Sequence, residues 1–97
     1  MRIALTPEAL AGQLVSLPGW SHQHGKLVRD YEFPTFLAAL SFVNQIAAMA
    51  EAADHHPDID IRYNKVRLAL VTHDAHGITE ADVRMAARIN AANISPL

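Results

Sequence analysis

The chain has 97 residues, 51% of them apolar, a formal net charge of −2 and no cysteine. That length sets the expectation of one domain over residues 1–97, with a real core and room for one sheet and two or three helices. The slightly acidic balance, without a Lys/Arg block, argues against nucleic-acid binding through phosphate neutralisation. The lack of cysteine removes disulfide and thiolate chemistry and suits a reducing cytoplasm.

Met1 to Glu8 lacks the apolar stretch of a signal peptide, and no uninterrupted apolar run reads as long enough to cross a bilayer. The expectation is a cytoplasmic protein with no membrane partner. Thr6-Pro7-Glu8 opens a first helix, with a capping threonine, a first-turn proline and an acid that complements the dipole. It carries Leu10, Leu14 and Val15 inward and stops near Leu17-Pro18-Gly19. Trp20 to Gln23 reads as a short strand and His24-Gly25 as a turn. From Lys26 to Phe33, residues Leu27, Arg29, Tyr31 and Phe33 alternate with Val28, Asp30 and Glu32, the period of a paired strand.

Pro34-Thr35 starts the longest helix, running to about Asp54. Its non-apolar residues, Ser41, Asn44, Gln45 and Glu51, fall in a stripe about 120° wide, which leaves roughly 240° apolar. One small sheet covers only part of that arc. The surplus, rich in Ala39, Ala47, Ala48 and Ala50, predicts a second partner for the helix, most simply another copy of the chain. After His55-His56-Pro57, residues Ile59, Ile61 and Tyr63 alternate with Asp58, Asp60 and Arg62, and Asn64-Lys65 reads as the turn. The next strand is Val66 to His73, with Val66, Leu68, Leu70 and Thr72 on one face. Gly77 and Thr79 introduce a last helix in which Val83, Ala86, Ala87 and Asn90 or Ile94 recur at helical spacing. Helix, hairpin, helix, hairpin, helix implies an α+β fold with a four-stranded antiparallel sheet and three helices packed on one face.

Chemistry concentrates around the histidines. Imidazole, with an ordinary pKa of about 6.5, both gives and takes protons near neutrality. His55 and His56 sit where Pro57 ends the long helix, and His73 ends a strand, where pockets form. The purely structural alternative is that His55 and His56 meet the helix dipole and His73 is a surface residue. Asp82 occupies the third helical position after Thr79, where capping is its first role. Asp54 and Glu51 lie within about one turn of each other and either can orient a histidine. Trp20, the single tryptophan, can stack on a planar ligand or fill the core; Tyr63, in register with two isoleucines, reads as packed. Adjacent histidines lack the i, i+4 spacing of helical zinc ligands, so a metal site is the weakest reading and none is expected.

Glu51, three residues, His55-His56-Pro57, five residues, Tyr63, nine residues, His73, eight residues and Asp82 form a spacing that resembles the signature of the pterin-4a-carbinolamine dehydratases. Pro18-Gly19-Trp20, Tyr63-Asn64-Lys65-Val66 and Thr72-His73-Asp74 agree with it, so the likeness runs from about Leu17 to Ile89. The resemblance implies an αββαββα fold assembled as a homodimer or homotetramer. It also implies loss of water from a 4a-hydroxytetrahydropterin, yielding the quinonoid dihydropterin that is recycled to tetrahydrobiopterin. By position it implies His55, His56 and His73 as the catalytic histidines, Asp54, Glu51 and Asp82 as supporting acids, and Trp20 near the pterin. No cofactor or metal is implied, and a link to an aromatic amino acid hydroxylase is. Asp58-Ile59, after the proline, departs mildly from the bulkier residues common in relatives. The alternative is a non-catalytic binding or assembly module on the same scaffold, for which an interface change such as Val43→Asp would matter and histidine changes would not.

Overall fold

The computed structural model describes residues 3–92. Its elements are α1 (Pro7–Leu14), β1 (Ser21–Gln23), β2 (Lys26–Glu32), α2 (Phe36–Ala53), β3 (Asp58–Arg62), β4 (Lys65–Leu70) and α3 (Glu80–Ala91). This is the expected α+β fold, αββαββα, around a four-stranded antiparallel sheet of order β1-β2-β4-β3. β4 therefore lies between β2 and β3, pairing Leu27 with Leu70 on one side and Ile59 with Leu68 on the other.

Local chemistry sets each boundary. The Thr6 hydroxyl accepts from the Ala9 N–H and the Thr35 hydroxyl from the Ala38 N–H, capping α1 and α2. His24 and Gly25 both take left-handed backbone angles, φ 51° and 77°, as a two-residue hairpin requires. α2 closes on Asp54, also left-handed at φ 50°, and the His55 N–H reaches back to the Ala50 carbonyl at 3.1 Å. The acid at this helix end thus has a backbone reason, because Asp tolerates that conformation better than most residues.

The inward sheet face presents Leu27, Val66, Leu68 and Leu70, and α2 covers it with Ala39, Phe42, Ile46 and Ala50; α3 adds Val83, Met85, Ala86 and Ile89. On the outward face charges pair across strands, Arg67 holding Asp30 at 2.7 and 2.9 Å and Lys26 reaching Asp58 at 2.9 Å. The Arg67 guanidinium keeps the Asp30 carboxyl below its usual range.

Several expectations are corrected. Val15 is exposed because, still helical in backbone at the end of α1, it lies about 140° around the helix from the buried Leu10. The second hairpin turns on Tyr63-Asn64, since Arg62 already pairs with Lys65. Tyr63 is consequently left-handed and exposed, not packed, while the Asn64 side chain donates to the Phe33 carbonyl at 2.7 Å. β4 stops at Leu70, and His73 opens a 3-10 turn over His73–Ala75 instead of ending the strand. Ala87 points outward, the buried stripe of α3 running through Met85 and Ile89; Ile94 lies outside the described residues. The 18 residues of α2 do reach the length and apolarity of a membrane-crossing helix, with mean hydropathy 1.4. Packing accounts for one side only: Ala39 and Ala50, expected in the surplus arc, are buried in the core, whereas Phe36, Leu37 (75% exposed), Ala47 and Ala48 are exposed.

One buried polar atom lacks a partner among the described residues, the Tyr31 hydroxyl. Its ring packs 4.5 Å from Phe42 and under the Arg29 guanidinium, and burial pushes the phenol up to about 12. Tyr31→Phe is expected to raise neutral-pH stability by about 1 kcal/mol, because it removes an unsatisfied hydroxyl. A phenol with a folded-state pKa above its unfolded value stabilises below the unfolded value and loses that contribution as pH rises through the folded one. The variant should therefore also lose less stability than the parent in urea melts as pH is raised from about 10 towards 12.

Candidate active site

Three segments converge at one end of the molecule: the C-terminus of α2, the exit of β4 and the first turn of α3. Asp82 is the meeting point, with none of its surface exposed. Its Oδ2 accepts from the Thr79 N–H at 2.9 Å, completing the capping box of α3, and from the Thr72 hydroxyl at 2.8 Å. With its proton given to Asp82, Thr72 accepts from the Thr79 hydroxyl at 2.7 Å. The other oxygen, Oδ1, meets His55 Nε2 at 2.5 Å. A carboxylate only accepts, so His55 carries its proton on Nε2 here and turns Nδ1 away from Asp82.

His55 is 8% exposed and contributes to a groove of about 310 Å³ lined by Ala53, His55, Ala81, Arg84, Met85 and Arg88. The groove residues of α3 recur at i, i+3, i+4 and i+7, so they form one face of that helix. Ala53, Ala81 and Met85 give it an apolar floor, and the imidazole stands at its edge.

His56 is separate and exposed. Its Nε2 hydrogen-bonds the Glu51 carboxylate, one turn back on α2. Of the two acids at this helix end, Glu51 meets a histidine, whereas Asp54 makes no side-chain hydrogen bond among the described residues. His73 directly follows Thr72, so the Thr72–Asp82 bond fixes where its backbone leaves the sheet; its side chain is exposed.

Trp20 goes elsewhere. Its indole is buried in the core and donates to Asn90 at 3.0 Å, about 12 Å along α3 from Asp82 by helical rise. Asn90 also accepts from Arg29 and donates to the Pro18 carbonyl. A Cβ on Gly19, at φ 89°, would come within 2.6 Å of Arg29 Nε, so the Pro18-Gly19-Trp20 run is explained by this clasp. Among the described residues no group of three or more His, Asp or Glu side chains is placed to hold a metal.

Sequence reasoning did not single out Thr72 as a site residue, or Arg84 and Arg88. The pair's four-residue spacing on the Ala81 face was the available signal, but exposed helical arginines ordinarily read as a solvated surface.

The family model for pterin 4 alpha carbinolamine dehydratase matches residues 3–92. The chain belongs to that family. A relative from Acidobacterium capsulatum, provisionally named a pterin-4-alpha-carbinolamine dehydratase, is 59% identical over 87 residues, covering 90% of this chain and 95% of the relative. One from Chloroflexus aurantiacus with the same name is 52% identical over 86 residues, covering 89% and 92%. Among solved structures, the transcriptional coactivator/pterin dehydratase from Brucella melitensis is similar with a TM-score of 0.84 at 38% identity, over 91% of this chain and 96% of that one. A pterin dehydratase-like protein described as a RuBisCO assembly factor in the alpha-carboxysome aligns with a TM-score of 0.66 at 25% identity, over 82% and 96%.

For a dehydratase-family chain the two carboxylate–imidazole pairs are unequal in what they hold together. Asp82→Ala removes a cap and strands Thr72, Thr79 and His55, and should cost about 2–4 kcal/mol in urea unfolding. Glu51→Ala, at an exposed pair, should leave the unfolding midpoint almost unchanged.

Proposed function

We propose that the protein dehydrates a 4a-hydroxytetrahydropterin, such as 4a-hydroxytetrahydrobiopterin, to the quinonoid dihydropterin and water. Family membership supports the substrate class, and the observation that carries the mechanism is the buried Asp82–His55 pair at the edge of the groove. In the reaction one base removes the proton from the ring nitrogen next to C4a. One acid protonates the departing 4a-hydroxyl, which leaves as water as the carbon–nitrogen double bond forms. No net proton is consumed, so a pair of imidazoles can perform both transfers and re-equilibrate through water.

Asp82 holds His55 in the tautomer whose Nδ1 accepts, which suits the base role. Glu51 does the same for His56, and His73 supplies a further proton-transfer or substrate-holding group. The apolar floor of the groove suits a flat heterocycle. The role of Trp20 on this reading is to fix α3 beneath the site through Asn90, not to touch the pterin. The activity belongs in the cytoplasm, beside an aromatic amino acid hydroxylase that produces the carbinolamine, and needs no cofactor.

Turnover of synthetic carbinolamine, followed by absorbance, tests this. His73→Ala should lower the catalysed rate about 10²–10⁴-fold, as loss of a positioned proton-transfer group does, with an unaltered melting curve. His55→Ala should lose as much. Near-normal turnover by both would sink the assignment.

A second reading has its own support. Leu37 and Phe36 leave an apolar strip on α2, and one similar fold is described as a RuBisCO assembly factor. On this reading α2 joins copies of the chain into a dimer or tetramer, or docks another protein. Val43 packs partly against the core, so Leu37→Asp is a cleaner probe than Val43→Asp. Sedimentation should show Leu37→Asp shifted towards monomer with its fold intact. Unchanged mass would remove this face from the assembly.

A further inference from the structure

Arg84 and Arg88 stand in unusual surroundings. Both line the His55 groove, one turn apart on the same face of α3, and both are exposed. The other described arginines are engaged: Arg29 with Asn90, Arg62 with Asp60 and Arg67 with Asp30. Arg84 and Arg88 form no ion pair with any carboxylate among the described residues, and no acidic residue lines the groove. Like charges at this spacing repel and disfavour the helix. Arg88 in the last turn gains something from the helix dipole. Arg84, in the middle of α3, has Glu80 one turn before it, but that carboxylate accepts from Gln13 at 3.2 Å and makes no ion pair with Arg84. Two guanidinium groups in a concave site, without a protein anion, present planar donor forks matched to a carboxylate or phosphate.

Building on the pterin reading of the same groove, we infer that Arg84 and Arg88 form an anion-recognising rim, so that the preferred substrate is a reduced pterin whose side chain carries a carboxylate or phosphate. The heterocycle lies over Ala53, Ala81 and Met85 with its reactive edge at His55, and the substituent extends along α3 towards the arginines. They are specificity-determining residues and move no proton. An uncharged side chain such as dihydroxypropyl then meets the groove without using its charge.

The test compares full-length parent and the Arg84→Gln/Arg88→Gln double variant by fluorescence titration with three fluorescent pterins: 6-methylpterin, 6-carboxypterin and the phosphate monoester of 6-hydroxymethylpterin. The parent should bind at least one anionic pterin about tenfold or more tightly than 6-methylpterin, a preference that shrinks with added salt. In the double variant the ratio of anionic to neutral affinity should fall towards one. Whichever anion the parent favours identifies carboxylate or phosphate as the recognised group. Equal parental affinity for all three pterins overturns the inference, while turnover of a neutral carbinolamine would still uphold the dehydratase reading. Failure of every pterin to bind, together with no turnover, overturns both. A double variant with altered oligomeric mass and an unchanged affinity ratio overturns it too, assigning the arginines to a subunit contact.

Discussion

A carboxylate stripped of water must be met on both oxygens, or it destabilises the fold that buries it. Asp82 meets this condition by joining three parts of the chain that are distant in sequence. One oxygen closes the first turn of α3 and collects the end of β4 through Thr72; the other receives His55 from the end of α2. Helix capping and the orientation of an imidazole are thus one interaction. The groove depends on it, because its lining comes from the two elements joined here, Ala53 and His55 from the end of α2 and Ala81, Arg84 and Met85 from α3.

Around that junction the two adjacent histidines divide. His55 turns inward because the left-handed Asp54 reverses the chain and the His55 N–H is fastened to Ala50. His56 then faces out and takes its support from Glu51, within its own helix. One pair is shielded and tied to the fold; the other is wet and replaceable. At the far end of α3, Asn90 performs the matching task, gathering Trp20, Arg29 and the Pro18 carbonyl so that the helix is pinned at both ends.

Most of the fold is legible in the sequence because its signals are local. Thr6, Thr35 and Thr79 announce the helices, His24-Gly25 announces a hairpin, and the strict alternation of Val66, Leu68 and Leu70 announces a one-faced strand. The errors fall where a neighbour in space decides. Tyr63 alternates correctly with Ile59 and Ile61, yet the Arg62–Lys65 pairing forces it into the turn. The site is legible in part. His55, His56 and Glu51 are close in sequence, but the Asp82–His55 bond spans 27 residues, and a capping aspartate gives no local sign of its second partner. For Trp20 the residue type alone favours the core and the family resemblance favours the pterin; its burial and its bond to Asn90, 70 residues away, follow the first.

The strand order carries a consequence for how the molecule assembles. Each hairpin is made of neighbours in sequence and can form early, but inserting β4 between β2 and β3 joins the hairpins across the whole of α2. Closing that long loop is the entropically slow step of the topology. His55, Thr72, Thr79 and Asp82, by contrast, all lie beyond that loop, between the end of α2 and the first turn of α3. The junction around Asp82 therefore closes within one contiguous stretch of chain, whereas the sheet needs strands from both sides of α2.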